Sequence, residues 1–235
     1  MSSFVRRFKT GRFIWTVLVT LYFLVFFTNF FRDAIPDRMT LPVLFAYIFV
    51  LWLSFEYYFG SPFFQSGVVE HSAFWRGIFA FFVYPFLAYL GADFIWWHWT
   101  QMPVPVAVIG FLGLAVFAIG SYLRLGTLFD LLRIAQVRPP ARGSKEEILL
   151  LPEKRFVALR FQKLARHPRY FATFIQLVGA ALVFRSWGGL VFAVVIGLPL
   201  LLLQARHEDT HLRDLLKNEL KTYTDTVPAF WPRFR

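Results

Sequence analysis

Residues 207 to 211 read His207-Glu208-Asp209-Thr210-His211. On a helix the two histidines stand one turn apart on one face, and a glutamate between them can act as a general base, as in zinc hydrolases. A catalytic zinc normally takes three protein ligands and leaves one position open. The other histidines are His71, His98 and His167, and no companion motif supplies a third ligand. Without a metal, the stretch is the charged start of a helix leaving an apolar segment. A second group with chemical potential lies about forty residues earlier, at Arg166-His167-Pro168-Arg169-Tyr170. Taken by itself, it reads as a basic headgroup anchor with proline at a helix start.

The elements that must position these groups follow from composition. The chain has 235 residues, 57% hydrophobic and 20% aromatic, with 17% charged residues and no Cys. Disulfides, thiolate nucleophiles and Cys-ligated metals are therefore excluded. Six apolar segments approach the roughly 20 residues that cross a bilayer core. They are Phe13–Phe31, Leu41–Tyr58, Gly77–Trp97, Val104–Leu123, Phe171–Phe184 and Leu190–Ala205. The expected fold is an all-α polytopic membrane protein with six transmembrane helices. Pro85 should kink the third segment. The last two segments, separated by Arg185-Ser186-Trp187-Gly188-Gly189, form a tight hairpin over 171–205.

Residues 1–123 then make a four-helix N-terminal part. Residues 124–235 make a core with a C-terminal helix over 206–226, striped by Leu212, Leu215, Leu216 and Leu220. The first apolar run is too long for a signal peptide and lacks a small-residue cleavage site. With the N-terminus inside, 22 of the 25 Lys and Arg fall on the cytoplasmic side, leaving only Arg32, Arg38 and Arg185 outside. This positive-inside bias puts both termini in the cytoplasm. The net charge of +11 is accounted for by topology and anionic headgroups, so nucleic acid is not an expected partner. Trp96-Trp97-His98-Trp99 reads as an aromatic interface belt. Glu56 and Asp93 lie near segment ends, where the interface can hydrate them. Within the cytoplasmic segment from Arg124 to Tyr170, Arg133–Val137 extends the fourth helix, and the strip Phe156–Ala165, which alternates apolar and basic residues, is either an interfacial helix or a solvated connector.

Clusters at the two cytoplasmic ends of one membrane hairpin must be neighbours, so His167 and Glu208 can share a site. In that order, Arg166-His167-Pro168-Arg169-Tyr170, the hairpin, Glu208-Asp209 with Leu212, Tyr223, Val227-Pro228 and Pro232 resemble the C-terminal core of the isoprenylcysteine carboxyl methyltransferase-like and phospholipid methyltransferase family. The likeness covers about residues 160 to 232. Its pattern is R-H-P-x-Y, a hairpin, E-E-x-x-L, then Y-x-x-Y and V-P.

The resemblance implies S-adenosylmethionine at the cytoplasmic membrane surface, held by His167 and Tyr170 with the backbone around Arg166 and Pro168. Glu208 would stand near the cofactor or the reacting group. Asp209, in place of a second Glu, and Tyr223, as the second Tyr of the pair, would complete the site. Leu220 replaces the first Tyr, Lys217 a common Gly, and Arg160-Phe161-Gln162 the usual glycine and aromatic. Gln204 replaces an Arg, for which Arg206 is the nearest substitute; Arg206 could orient a carboxylate acceptor.

The expected acceptor is a lipid-like or hydrophobic small molecule entering from the bilayer. Membrane lipids are the expected partners, and no obligate protein partner is evident. A bacterial inner membrane is the default location, with the endoplasmic reticulum as alternative. Competing readings are an NADPH-dependent reductase of the sterol-reductase type, whose motif would carry Asn where Arg169 stands, a non-enzymatic scaffold, and the zinc protease.

Overall fold

The computed structural model describes residues 10–30, 39–65, 73–134, 136–138, 147–149, 160–216 and 223–232. Runs rich in Phe, Leu, Val and Ala form long helices: α1 (Thr10–Phe30), α2 (Thr40–Gln65), α3 (Ala73–Ala92) and α4 (Val106–Ile134). Pro85 lies inside α3 without ending it. A π-helical turn, Asp93–Trp97, extends α3 and stops at His98, whose φ of 55° reverses the chain. The expected extension of the fourth helix stops at Ile134; Gln136–Arg138 (β1) then pairs antiparallel with Glu147–Leu149 (β2). Of the strip expected over Phe156–Ala165, residues 156–159 lie outside the described residues and 160–164 form turns, not a helix.

The hairpin is α5 (Pro168–Val183), α6 (Trp187–Phe192), a π-helical turn (Ala193–Gly197) and α7 (Leu198–Leu216). Proline at the first position starts α5. Arg185 turns the chain at φ 53°, and the Ser186 side chain caps α6 by accepting from the Gly189 N–H. The membrane segment and the charged helix are not separate elements. Nothing between Leu203 and Asp209 breaks a helix, so α7 runs unbroken through Ala205 and Arg206. Residues 217–222, with Lys217 and Leu220, lie outside the described residues, and 223–226 form one further helical turn.

All six apolar segments are thus helical over their described residues, apart from Val104, Pro105 and Phe184 at segment ends. Two stretches, Ala107–Asp130 and Trp187–Thr210, are long and apolar enough to cross a membrane. Thr40–Glu56, Phe81–Trp97 and Pro168–Val183 are shorter apolar helices.

Helices α4 and α5 touch backbone to backbone. A Cβ added at Gly179 would fall 2.8 Å from the Phe117 Cα, and one at Gly113 would fall 2.8 Å from the Gly179 carbonyl oxygen. Small residues permit this approach. Around it, Phe45 meets Phe117 edge-on at 5.0 Å and Phe184 at 5.6 Å, with Leu90, Leu177, Val183 and Leu201 buried nearby. Phe81, Tyr84, Trp96, Trp99 and Val195 face outward, each more than 60% exposed. Such apolar exposure is unusual for a protein surrounded by water.

At one end of the bundle, Asp93 corrects an expectation of hydration, for it is fully buried. Its carboxylate accepts from the Thr100 hydroxyl at 2.7 Å, the Thr100 N–H at 3.2 Å and the Ser186 hydroxyl at 3.0 Å. These bonds satisfy a buried carboxyl group, and they tie the α3–α4 connection to the hairpin turn.

Candidate functional site

The other end of the bundle gathers the ends of α2, α4, α5 and α7. His167 precedes α5, while Glu208 and Asp209 lie on the last turns of α7. The hairpin brings them into contact. His167 Nε2 is 2.7 Å from Asp209 Oδ1, and its Nδ1 is 3.2 Å from Glu208 Oε2. Arg166 pairs with the second Asp209 oxygen at 2.8 Å. The Tyr170 ring stacks on His167 with centroids 5.6 Å apart, which sets its hydroxyl near Glu208.

The tail closes this arrangement from outside. The Arg166 and His167 N–H groups donate to the Pro228 and Ala229 carbonyls at 2.9 and 3.0 Å. Phe230 is buried in the core against Phe171, and Trp231 packs edge-on to Phe171 and Phe174. The Tyr223 hydroxyl donates to the Gln162 carbonyl at 2.7 Å. The Val-Pro segment is therefore the lid that holds the Arg-His-Pro segment in place.

Electrostatics divide the acids by task. The Asp209 side chain is 14% exposed and binds two cations; Glu208 is 46% exposed. Burial alone would push the His167 pKa down. Hydrogen bonds to Asp209 and Glu208, and their charges, outweigh burial and raise it to about 9. His167 is therefore a cation at neutral pH, with both ring nitrogens donating.

Next to this cluster sits a second one that sequence reasoning missed. Glu56 is buried, not hydrated as expected from its place near a segment end. Arg124 Nε lies 2.8 Å from both Glu56 oxygens, and Arg169 adds a bond of 3.0 Å to one of them. Arg124 also bonds the Thr173 hydroxyl and stacks over the Trp52 ring at 5.5 Å. The available signal was an acid inside one apolar run and a base at the end of another, since each needs a partner in an apolar setting.

Of the expected site residues, Arg166, His167, Tyr170, Glu208 and Asp209 converge, Pro168 starts the helix that aims them, and Tyr223 braces the loop before them. Arg206 lies apart: it is exposed on α7 and forms no ion pair among the described residues. The backbone N–H groups of Arg166 and His167, expected beside a cofactor, are engaged by the tail. His207 is exposed, and among the described residues no group of three or more His, Asp or Glu is placed to hold a metal. His98 is exposed at the opposite end, and His71 lies outside the described residues. The chain matches no protein-family model, no curated protein and no solved structure.

Proposed function

We propose that this chain is an integral membrane methyltransferase that uses S-adenosylmethionine on a lipid-like or hydrophobic acceptor. In this reading all six apolar segments span the membrane, and the cluster of His167, Glu208 and Asp209 lies at its cytoplasmic face. The observation that carries the reading is the contact of His167 with the Glu208-Asp209 pair across the hairpin, with Pro228 and Ala229 clamping Arg166 and His167. It joins pieces of the resembled motif that lie far apart in the chain, at 166–170, 208–209 and 228–229, into one cluster.

The donor set fits the cofactor. It carries a carboxylate, an ammonium and a sulfonium, and the cluster offers both signs of charge: Arg166 and His167 against Glu208 and Asp209. Glu208, the more exposed acid, suits a cationic group, and Tyr170 presents an aromatic ring beside it. When bound, the cofactor would supply an electrophilic methyl whose bond to sulfur breaks as the bond to the acceptor forms.

The chain's own residues have distinct tasks. Asp209, held by Arg166, fixes the His167 ring. His167, held cationic, fixes Glu208 and takes up no proton at neutral pH. Tyr170 secures Glu208 from the other side. An amine acceptor would lose its proton to Glu208, whereas a carboxylate acceptor would need none removed. The outward-facing aromatic helices would admit an apolar tail sideways from the bilayer, and orientation in a water-poor site would then do most of the catalysis.

The test is equilibrium binding of S-adenosylmethionine and of NADPH to the purified chain in detergent. Binding of the former, weakened about tenfold or more in Glu208→Gln by loss of a charged contact, supports the reading. Preference for NADPH, or undiminished binding in the variant, overturns it.

A further inference from the structure

Two guanidinium groups share one carboxylate beside the proposed site. Arg124 is fully engaged: Nε and one terminal nitrogen face Glu56, and the other terminal nitrogen bonds Thr173. Among the described residues, Arg169 has a single bond, through one terminal nitrogen to Glu56 at 3.0 Å, and its side chain is 29% exposed. A guanidinium has five N–H donors and no acceptor, so most of its donors remain open on its exposed side. The group carries a net positive charge, two cations against one anion.

A buried donor adds to this surplus. Among the described residues, Trp52 Nε1 is buried without a hydrogen-bond partner, on the indole over which Arg124 stacks. Arg169 precedes Tyr170, which lies near Glu208, and its charge acts on both residues. The arrangement thus extends from Glu56 through Arg124 and Arg169 to the acid facing the reaction.

We infer that Arg169, held by Glu56, is the seat for an anionic oxygen, carboxylate or phosphate, on the head of the acceptor. Glu56 and Arg124 are positioning residues: they tether the guanidinium by one edge and leave the other free for a forked contact. Three helices meet at this seat, so α2 contributes to acceptor selection through Glu56. The inference rests on the methyltransferase reading only in calling the anion's owner the acceptor.

The test uses the full chain in neutral detergent micelles doped with dodecanoate, dodecyl phosphate, dodecanol or dodecylamine, with acetate and inorganic phosphate as tail-less arms. The expected result is a rise in thermal midpoint with the two anionic amphiphiles and none with the alcohol or the amine. Arg169→Gln should weaken anion binding about tenfold or more, with Arg169→Lys in between, a larger loss than the change in S-adenosylmethionine affinity of either variant. An equal response to acetate or inorganic phosphate assigns the seat to a free anion and overturns a lipid-like head.

Equal shifts with all amphiphiles in the wild type overturn the inference even if Arg169→Gln does not fold. So does an anion response in Arg169→Gln equal to the wild type's. An anion response without S-adenosylmethionine binding keeps the seat and removes the methyltransferase reading.

Discussion

His167 and Asp209 stand 42 residues apart in the chain and 2.7 Å apart in space, imidazole Nε2 on carboxylate Oδ1. With Glu208 on the other ring nitrogen, this contact holds the His167 pKa at about 9 against an ordinary 6.5. A raised pKa means that the folded state binds the proton more tightly. The contribution to stability is therefore complete below pH 6.5 and is lost as pH rises through about 9. Its size is about 3 kcal/mol. The thermal midpoint of the detergent-solubilised chain should fall between pH 7 and pH 10, and His167→Gln should flatten that fall. Equal slopes in both proteins would remove His167 as the titrating group.

The two acids should respond differently to neutralisation. Asp209→Asn leaves Arg166 and His167 with an unpaired buried charge and should cost about 3 kcal/mol of stability. Glu208→Gln alters a half-exposed group and should cost about 1 kcal/mol or less, while impairing cofactor binding. Thermal unfolding of both variants beside S-adenosylmethionine titrations checks the division. The opposite ranking in stability would reverse the roles assigned here.

The contact between α4 and α5 gives a prediction independent of function. Gly179→Ala drives a methyl into the Phe117 backbone and should destabilise by about 1–3 kcal/mol. Gly91→Ala, with nothing within 4 Å of the new methyl, should be neutral or gain about 0.5–1 kcal/mol from helix propensity. Unfolding midpoints of the two variants compare the outcomes directly; equal effects would contradict the close approach.

Removing the anchor of the tail should reach the site from a distance. Phe230→Ala empties a core position and should cost about 3–5 kcal/mol. Because Pro228 and Ala229 hold the Arg166 and His167 backbone, hydrogen exchange at those two amides should accelerate in the variant beyond the global loss of stability. Unchanged protection there would show that the tail is not the clamp.

Much of this was legible in the sequence because local signals sufficed. Apolar runs marked the helices, Pro168 marked a helix start, and the hairpin length forced Arg166-His167 toward Glu208-Asp209. The weight given to Glu208 over Asp209 could not be checked that way. Which acid is buried depends on helix rotation, set here by the π-helical turn at Ala193–Gly197 that apolar pattern does not encode. Glu56 and Asp93 were misjudged for the same reason. Distance from a segment end suggested hydration, but their partners, Arg124 with Arg169 and Thr100 with Ser186, come from other elements and exist only after packing. The continuity of α7 was missed because a change in polarity was taken for a boundary, although the backbone sees no break between Ala205 and Arg206.

The proposed methyl transfer at Glu208 is tested most directly by incubating the purified chain with methyl-labelled S-adenosylmethionine and a membrane lipid extract. The account predicts label in an extractable lipid-like product with the wild type, and a drop of about a hundredfold or more with Glu208→Gln. No labelled product with the wild type across the lipid extracts tried, together with no binding of S-adenosylmethionine, would contradict it, as would undiminished labelling by the variant.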